Sequence, residues 1–406
     1  MKYRMDEITE SCLGKMLDSK KNKGEYQPYL ANINVRWGSF DLDNLSLMRF
    51  EPNENDRYGI KYGDLIMCEG GEPGRCAIWR DELPNMKIQK ALHRIRPNTN
   101  LVDVEYLYYW FLLSGKNDLL RRHFTETTIK HLPGETLKQL VIDLPDMKTQ
   151  KNISTVLRSI DKKITVNKKI NDNLEQQAKL LYDYWFTQFD FPDENGKPYR
   201  SSGGKMVWNE QLKRDIPSGW KVIPFLEAAS WESNSQPPKS EFIYEPQEGY
   251  VRFIQNRDYE SNTHITYIPL TKNLSIVDRF DILMDKYGDA GAVRYGIEGA
   301  FNVALGKICV HNQNYREYIR SFLSSNGIYN FLHNSCMAST RASLNESNLA
   351  ILNIPIPDEK LILGYEKLLH KIRLSILKNN DETQKLIDLR DWLLPLLMNG
   401  QATISD

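Results

Sequence analysis

The stretch Gly63 to Ile78 reads GDLIMCEGGEPGRCAI, an apolar run followed by a loop holding Gly70, Gly71, Pro73 and Gly74. Glycines after a strand let backbone N–H groups approach an anion, so phosphate chemistry is the possibility to test. The spacing fits neither G-x-G-x-x-G nor G-x-x-x-x-G-K-[ST]. A strand, a tight turn with glycine at positive φ, and a return strand account for the same residues without a ligand. Other chemistry-bearing residues are sparse. His333 and Cys336 form one Cys/His pair, with no second pair to complete a metal site. NIPIP (353–357) lacks the adjacent prolines and the aromatic of an amino-methylation motif, and PDEK (357–360) has its acids adjacent, without nuclease metal-site spacing. There is no F-x-G-x-G, no P-loop and no H-E-x-x-H, and the 7 histidines are scattered, nominating no general base. These residues do not describe an enzyme.

The elements that carry them belong to a large soluble chain. Its 406 residues exceed one ordinary core, so two or more domains are expected. No apolar run approaches the length of a membrane span, and the N-terminal MKYRMDEITES is charged rather than signal-like. Five cysteines (12, 68, 76, 309 and 336), without C-x-x-C spacing, point to reduced thiols in a cytoplasm. The 53 basic and 53 acidic residues cancel, which excludes a general polyanion coat. A DNA reader with its basic residues gathered on one face stays open.

The chain is written twice. FDILMDKYGDAGAVRY (280–295) matches the opening stretch 217 residues on, with Asp64, Met67, Gly71 and Gly74 corresponding to Asp281, Met284, Gly288 and Gly291. QKALHRI (89–95) pairs with NVALGKI (302–308), and TTIKHLPGETLKQLVIDLP (127–145) with STRASLNESNLAILNIPIP (339–357). Upstream, YLANINVR (29–36) pairs with YVRFIQNR (250–257), which puts Arg36 and Arg257 at one repeat position. The glycine loop is therefore a turn of a domain that occurs twice. Its second copy replaces Pro73 by Ala290 and Arg75 by Ala292.

Each copy ends in a long stretch with helical periodicity. On a heptad the first reads Ile153, Ile160, Asn167, Leu174, Leu181 at one seam position, and Leu157, Ile164, Asn171, Ala178, Trp185 at the other. The second reads Tyr365, Ile372, Asn379, Leu386, Leu393 and Leu369, Ile376, Thr383, Arg390, Leu397. A seam of period 3.5 asks for a helical partner, and each stretch is available to the other. The polar breaks at Asn167 and Asn379 fall at the same height and suit a register device, which costs stability but penalises slipped pairings. The expected fold is α+β: two duplicated globular target-recognition domains separated by two long helices, paired as an antiparallel coiled coil with pseudo-twofold symmetry. The expected boundaries are 1–146 and 220–357 for the globules, 147–187 and 358–398 for the helices, 188–219 for a linker and 399–406 for a tail.

This arrangement resembles the DNA-specificity (S) subunit of type I restriction–modification systems. The resemblance covers essentially the whole chain. It rests on the two copies, the GDLIMCEGG and FDILMDKYG turns, the entry IDLP…QKNISTVLRSIDKKI into the first helix, and the linker DENGKPY…IPSGWKV. It implies a non-catalytic subunit whose globules each read half of a split site in double-stranded DNA. It also implies a helical spacer that docks two methyltransferase subunits, with S-adenosylmethionine on them and none in this chain, and restriction subunits that join for cleavage. Leu361–Leu363 replaces the polar TQK of the first copy, which sets the two docking surfaces apart. Zero net charge then fits a DNA clamp supplied largely by the methyltransferases.

Base readout needs Arg, Lys, Asn or Gln at groove edges. The basic residues on or beside repeated segments are the candidates: Arg36, Arg75, Lys90, Arg94 and Lys130 in the first copy, and Arg257, Lys286, Arg294 and Arg341 in the second. A coiled-coil scaffold without DNA specificity also explains the helices, though it does not need two divergent globules. An enzyme built on the glycine turn would need to bind a nucleotide or another phosphorylated ligand.

Overall fold

The structure is a computed structural model, and it describes every residue except 19, 127–129, 263, 338–342 and 405–406. The chain divides into two compact units: Met1–Val166 with Glu382–Asp406, and Asn167–Asp381. Each combines sheets with helices.

The first unit is organised by the apolar strand Leu65–Cys68, whose four residues are all buried because both faces of its sheet are covered. It lies in a four-stranded sheet in the order Thr9–Leu13, Leu92–Pro97, Leu65–Cys68, Cys76–Ile78. A second sheet orders Ser46–Phe50, Glu25–Leu30 and Lys87–Ile88, the last pairing parallel. Lys2–Arg4 pairs with Val141–Asp143, tying the start of the unit to the strand before the first long helix. The helix Val104–Lys116, capped by Asp103 accepting from the Tyr106 N–H, lays its aromatic face on this core.

The second unit repeats the topology. Its four-stranded sheet runs Ala229–Glu232, Leu305–Val310, Ile282–Asp285, Val293–Arg294. Tyr250–Ile254 pairs antiparallel with Tyr267–Pro269 and parallel with Gly299–Phe301, and Lys221–Pro224 pairs with Asn353–Ile356. The registers agree with the sequence repeat at its centre: Leu92 faces Cys68 as Leu305 faces Asp285.

They disagree at one place. Tyr29 and Leu30 take the parallel position that Phe253 and Ile254 take in the second unit. Each strand then enters a 3₁₀ turn, in which the Ala31 N–H donates to the Asn34 side chain and the Gln255 N–H to Asp258. Asn32 is thus equivalent to Asn256, and Arg257 to Ile33. Arg36 and Arg257 do not share a position, because matching the letters slides the copies by three residues relative to the caps.

The first long helix spans Met147–Tyr182 and continues as a π turn over Asp183–Thr187; the second spans Glu359–Met398. Asp146 accepts from the Thr149 N–H and hydroxyl, bonds that hold its carboxyl below the usual range, and Asp358 accepts from the Lys360 N–H. In the first unit Ile153, Leu157, Ile160 and Ile164 are buried, while Leu386 and Leu393 are half-buried. In the second, Asn167, Leu369 and Ile376 are buried, and Leu174, Leu181, Ile372 and Asn379 are half-buried. Further buried positions fall outside the seam residues read from the heptad: Gln150, Ser154 and Tyr182 on the first helix, and Ile362, Arg373, Leu377 and Leu394 on the second. The segment read as a linker is folded. Phe189 and Phe191 enter the second unit's core with Trp220, and Met206–Asn209 pairs with Arg214–Pro217. No helix among the described residues is long and apolar enough to cross a membrane.

Candidate nucleic-acid interface

The two glycine turns are built alike. Cys68 N–H donates to the Arg75 carbonyl (2.8 Å) and Gly74 N–H to the Cys68 carbonyl (3.0 Å). In the second unit Asp285 N–H donates to Ala292 (2.9 Å) and Gly291 N–H to Asp285 (3.0 Å). Gly71 and Gly288, and Gly74 and Gly291, all lie at φ between +72° and +96°. The Gly74 and Arg75 amides are spent inside the turn, so it is a corner rather than a phosphate cradle.

The corner gathers neighbouring loops. Asn32 Nδ2 donates to the Gly70 carbonyl (2.9 Å), Trp37 Nε1 to Glu72 (2.8 Å), and Arg75 to both Glu72 (2.8 Å) and the Asn32 carbonyl (3.1 Å). The hairpin carrying Lys130 and His131 bridges to Gly70. Arg36, Arg75 and Lys130 therefore belong to one loop cluster. Arg36 is exposed, pairs with Asp41 (3.3 Å) and donates to the Ile33 carbonyl. Half-buried Lys90 lies one residue before Ala91, whose carbonyl accepts from Glu69 at the start of the corner (2.8 Å). Burial pushes the Cys68 thiol up, and the Arg75 and Arg36 charges nearby partly offset this.

Arg94 does not belong with them. Its residue is 1% exposed, its Nη1 donates to the carbonyls of Asp56, Arg57 and Gly59 (each 2.9 Å), and its Nη2 pairs with Glu10 (3.0 Å). Burial in a central strand commits this guanidinium to the fold, and it is removed from the candidate contacts.

In the second unit Arg294 pairs with Asp285 (2.7 Å) and Asp289 (3.5 Å) and lies over the Tyr259 ring (5.7 Å). Burial raises the Asp285 carboxyl despite this arginine, and the Asp285 hydrogen bond raises Arg294. Lys286 sits 6.0 Å from the Trp231 ring, and Arg257 is exposed on the 3₁₀ turn, 3.3 Å from the Thr266 hydroxyl. The loop tip is braced by the Tyr329 hydroxyl on Asp289 and by Leu344 N–H on the Lys286 carbonyl (3.0 Å). Arg341 lies outside the described residues.

Three polar or aromatic residues of the two units fall outside a search restricted to basic residues on repeated segments. Asn32 and Asn256 open equivalent turns beside the two corners. Tyr26, 64% exposed, faces Arg49 across two strands with the guanidinium 4.9 Å from its ring, a cation–aromatic pair. The alternation in EYQPYL was the available signal for that tyrosine.

The arrangement is a pair of similar loop platforms whose polar side chains differ. The profile of the type I restriction modification DNA specificity domain matches the chain twice, over residues 1–176 and 217–387. The MjaIX specificity subunit of Methanocaldococcus jannaschii is 26% identical over 357 residues, covering 85% of this chain and 78% of that one. The HindI specificity subunit of Haemophilus influenzae is 23% identical, covering 98% and 100%. In fold, the chain is similar to the S subunit of the type I restriction–modification system of M. genitalium, with TM-score 0.57 and 15% identity over 98% and 95% of the two chains. With both copies matched, the chain belongs to the type I restriction–modification specificity-subunit family.

Proposed function

We propose that this chain reads a bipartite site in double-stranded DNA, one half with each globule, and directs two methyltransferase subunits and their restriction subunits to it. The observation that carries this reading is one frame used twice with different side chains. Positions that hold Cys68, Arg75 and Ala77 in one unit hold Asp285, Ala292 and Arg294 in the other. A shared frame with exchanged polar groups is what two readers of unlike sequences require.

A split site also needs a stiff spacer. The long helices serve as one by pairing antiparallel as a coiled coil, with the globules related by a pseudo-twofold axis. Contacts within each unit support this: Asp161 meets Arg390 and Lys163 meets Glu382 in the first, and Asn171 meets Asn380 and Glu175 meets Arg373 in the second, so in each unit positions rise on one helix as they fall on the other. The chain itself neither methylates nor cuts; S-adenosylmethionine binds the methyltransferase partner, and the complex works in the cytoplasm.

The test is a methylation map made with the complete methyltransferase complex. Replacing residues 205–357 with the matching globule of a relative changes one half of the recognised sequence and leaves the other intact. A swap that altered both halves together would overturn the two-reader model.

A further inference from the structure

The first unit holds a cleft of about 530 Å³ between its first residue and the end of the second long helix. Its walls include Met1, Tyr106, Ile153, Leu397, Met398 and Ile404. At the ~150 Å³ that accommodates one benzene, this is room for about three aromatic rings.

The duplication shows what such a space holds when filled. Tyr3 pairs with Ile142 as Ile223 pairs with Ile354, so Met1 is equivalent to Lys221 and, 212 residues on, Ile153 to Tyr365. The helices Val104–Lys116 and Arg316–Ser324 start 212 residues apart, which makes Tyr106 equivalent to Tyr318. In the second unit Tyr318 and Tyr365 both touch Phe186, at 4.7 and 4.8 Å between ring centroids. Beyond Phe186 the space is packed by the segment that follows the first long helix. Phe189 and Phe191 each lie 5.4 Å from Trp220, and Tyr199 stacks on Phe191 at 4.7 Å. In the first unit, position for position after the second long helix, Phe189 and Phe191 are replaced by Gln401 and Thr403. The walls recur; the aromatic plug does not.

We propose that the cleft beside Met1 and Met398 is a docking site for an extended segment of a partner polypeptide carrying two aromatic residues spaced Phe-x-Phe. A second copy of this chain is the less suitable donor. Its own Phe189 and Phe191 are buried, 1% and 8% exposed, and would have to leave the second unit to be lent. The occupant is a different chain. Its rings fill the apolar walls, and Asn152 and Asn399, which also line the cleft, supply polar groups for its backbone.

The probe is a synthetic peptide of residues 187–201, TQFDFPDENGKPYRS, titrated calorimetrically into the full chain, with a control peptide carrying alanine for both phenylalanines. Saturable one-to-one binding is expected, weakened about tenfold or more for the control. Ala402→Trp, which fills the cleft from the tail side, should weaken it similarly. Asn152→Trp does so from the opposite wall and guards against the tail simply lifting away. Equal affinity for the two peptides, or no binding of either, overturns the proposal. Concentration-dependent dimers abolished by Ala402→Trp overturn the choice of occupant in favour of a second copy.

Discussion

Cys68 and Asp285 occupy the same position in the two units, each closing its glycine corner with the same two backbone hydrogen bonds. The backbone is held constant while the side chain changes from a thiol to a carboxylate. Conformation at this corner is thus separable from side-chain identity, and the two can be perturbed independently.

The glycines test the conformational part. A Cβ at Gly74 would lie 2.7 Å from Leu120 at φ +95°, whereas one at Gly291 would meet Leu332 at an ordinary 3.4 Å at φ +96°. Both alanine variants should lose stability through the backbone, by ~1–3 kcal/mol. Gly74→Ala should lose more because it adds the clash. Thermal unfolding of the two variants checks the order.

Arginines test recognition against structure. Arg75→Ala should cost only ~1 kcal/mol of stability, for the Asn32 carbonyl bond it loses, and relax one half of the methylated sequence, by ~1–3 kcal/mol of discrimination if the contact is bidentate. Arg94→Met should do the reverse. It removes a buried guanidinium that three carbonyls accept from and leaves Glu10 without its partner, and should cost ~2–5 kcal/mol of stability. Retained stability in Arg94→Met would contradict the assigned role.

These two arginines also mark how much was legible. The repeat, the glycine corners and the long helices could be read because order and spacing survive duplication. Arg94 could not be sorted from Arg75, since whether a strand lies at the centre of a covered sheet depends on partners distant in sequence. Arg36 and Arg257 were aligned by their letters, but the turn is fixed by a cap that Asn34 and Asp258 supply with different side chains. On the second helix the heptad favoured Ile372, yet Arg373 is the more buried, because Glu317 on a separate helix reaches it at 3.2 Å. Tertiary ion pairs leave no periodic trace.

The polar layer of the helices provides a double-mutant test. In the second unit Asn379 Nδ2 donates to Asn171 Oδ1 (2.9 Å), and Asn171 Nδ2 donates to Asn380 (2.7 Å). Asn379→Leu alone should cost ~1 kcal/mol by leaving the Asn171 amide short of a partner. Asn171→Leu with Asn379→Leu should recover that loss and exceed wild type, while permitting other helix pairings visible as mixed oligomers. A double variant that is less stable and remains uniquely paired would remove the register role.

Glu366 ties the stability of the second unit to pH. Burial pushes its carboxyl up to about 7 from the model-compound value of 4.5, with the Glu317 carboxylate adding to the rise and the Glu317 N–H, Arg316 and Arg320 opposing it. Its side chain accepts from that N–H at 2.9 Å, at the first turn of the helix Arg316–Ser324. The folded state therefore holds a proton that the unfolded state releases between pH 4.5 and about 7. Below that window both states are protonated and the contribution is fully present. As pH rises through it, the unfolded state loses its proton sooner, and stability falls by up to ~2–3 kcal/mol. Glu366→Gln keeps the acceptor without the titration, so its unfolding free energy should be flatter over this range than that of the wild type. Denaturant unfolding at pH 5 and pH 8 measures the difference. A wild type whose stability rises across the window, with Glu366→Gln behaving identically, would mean that this carboxyl is ionised throughout and that the two arginines outweigh its burial.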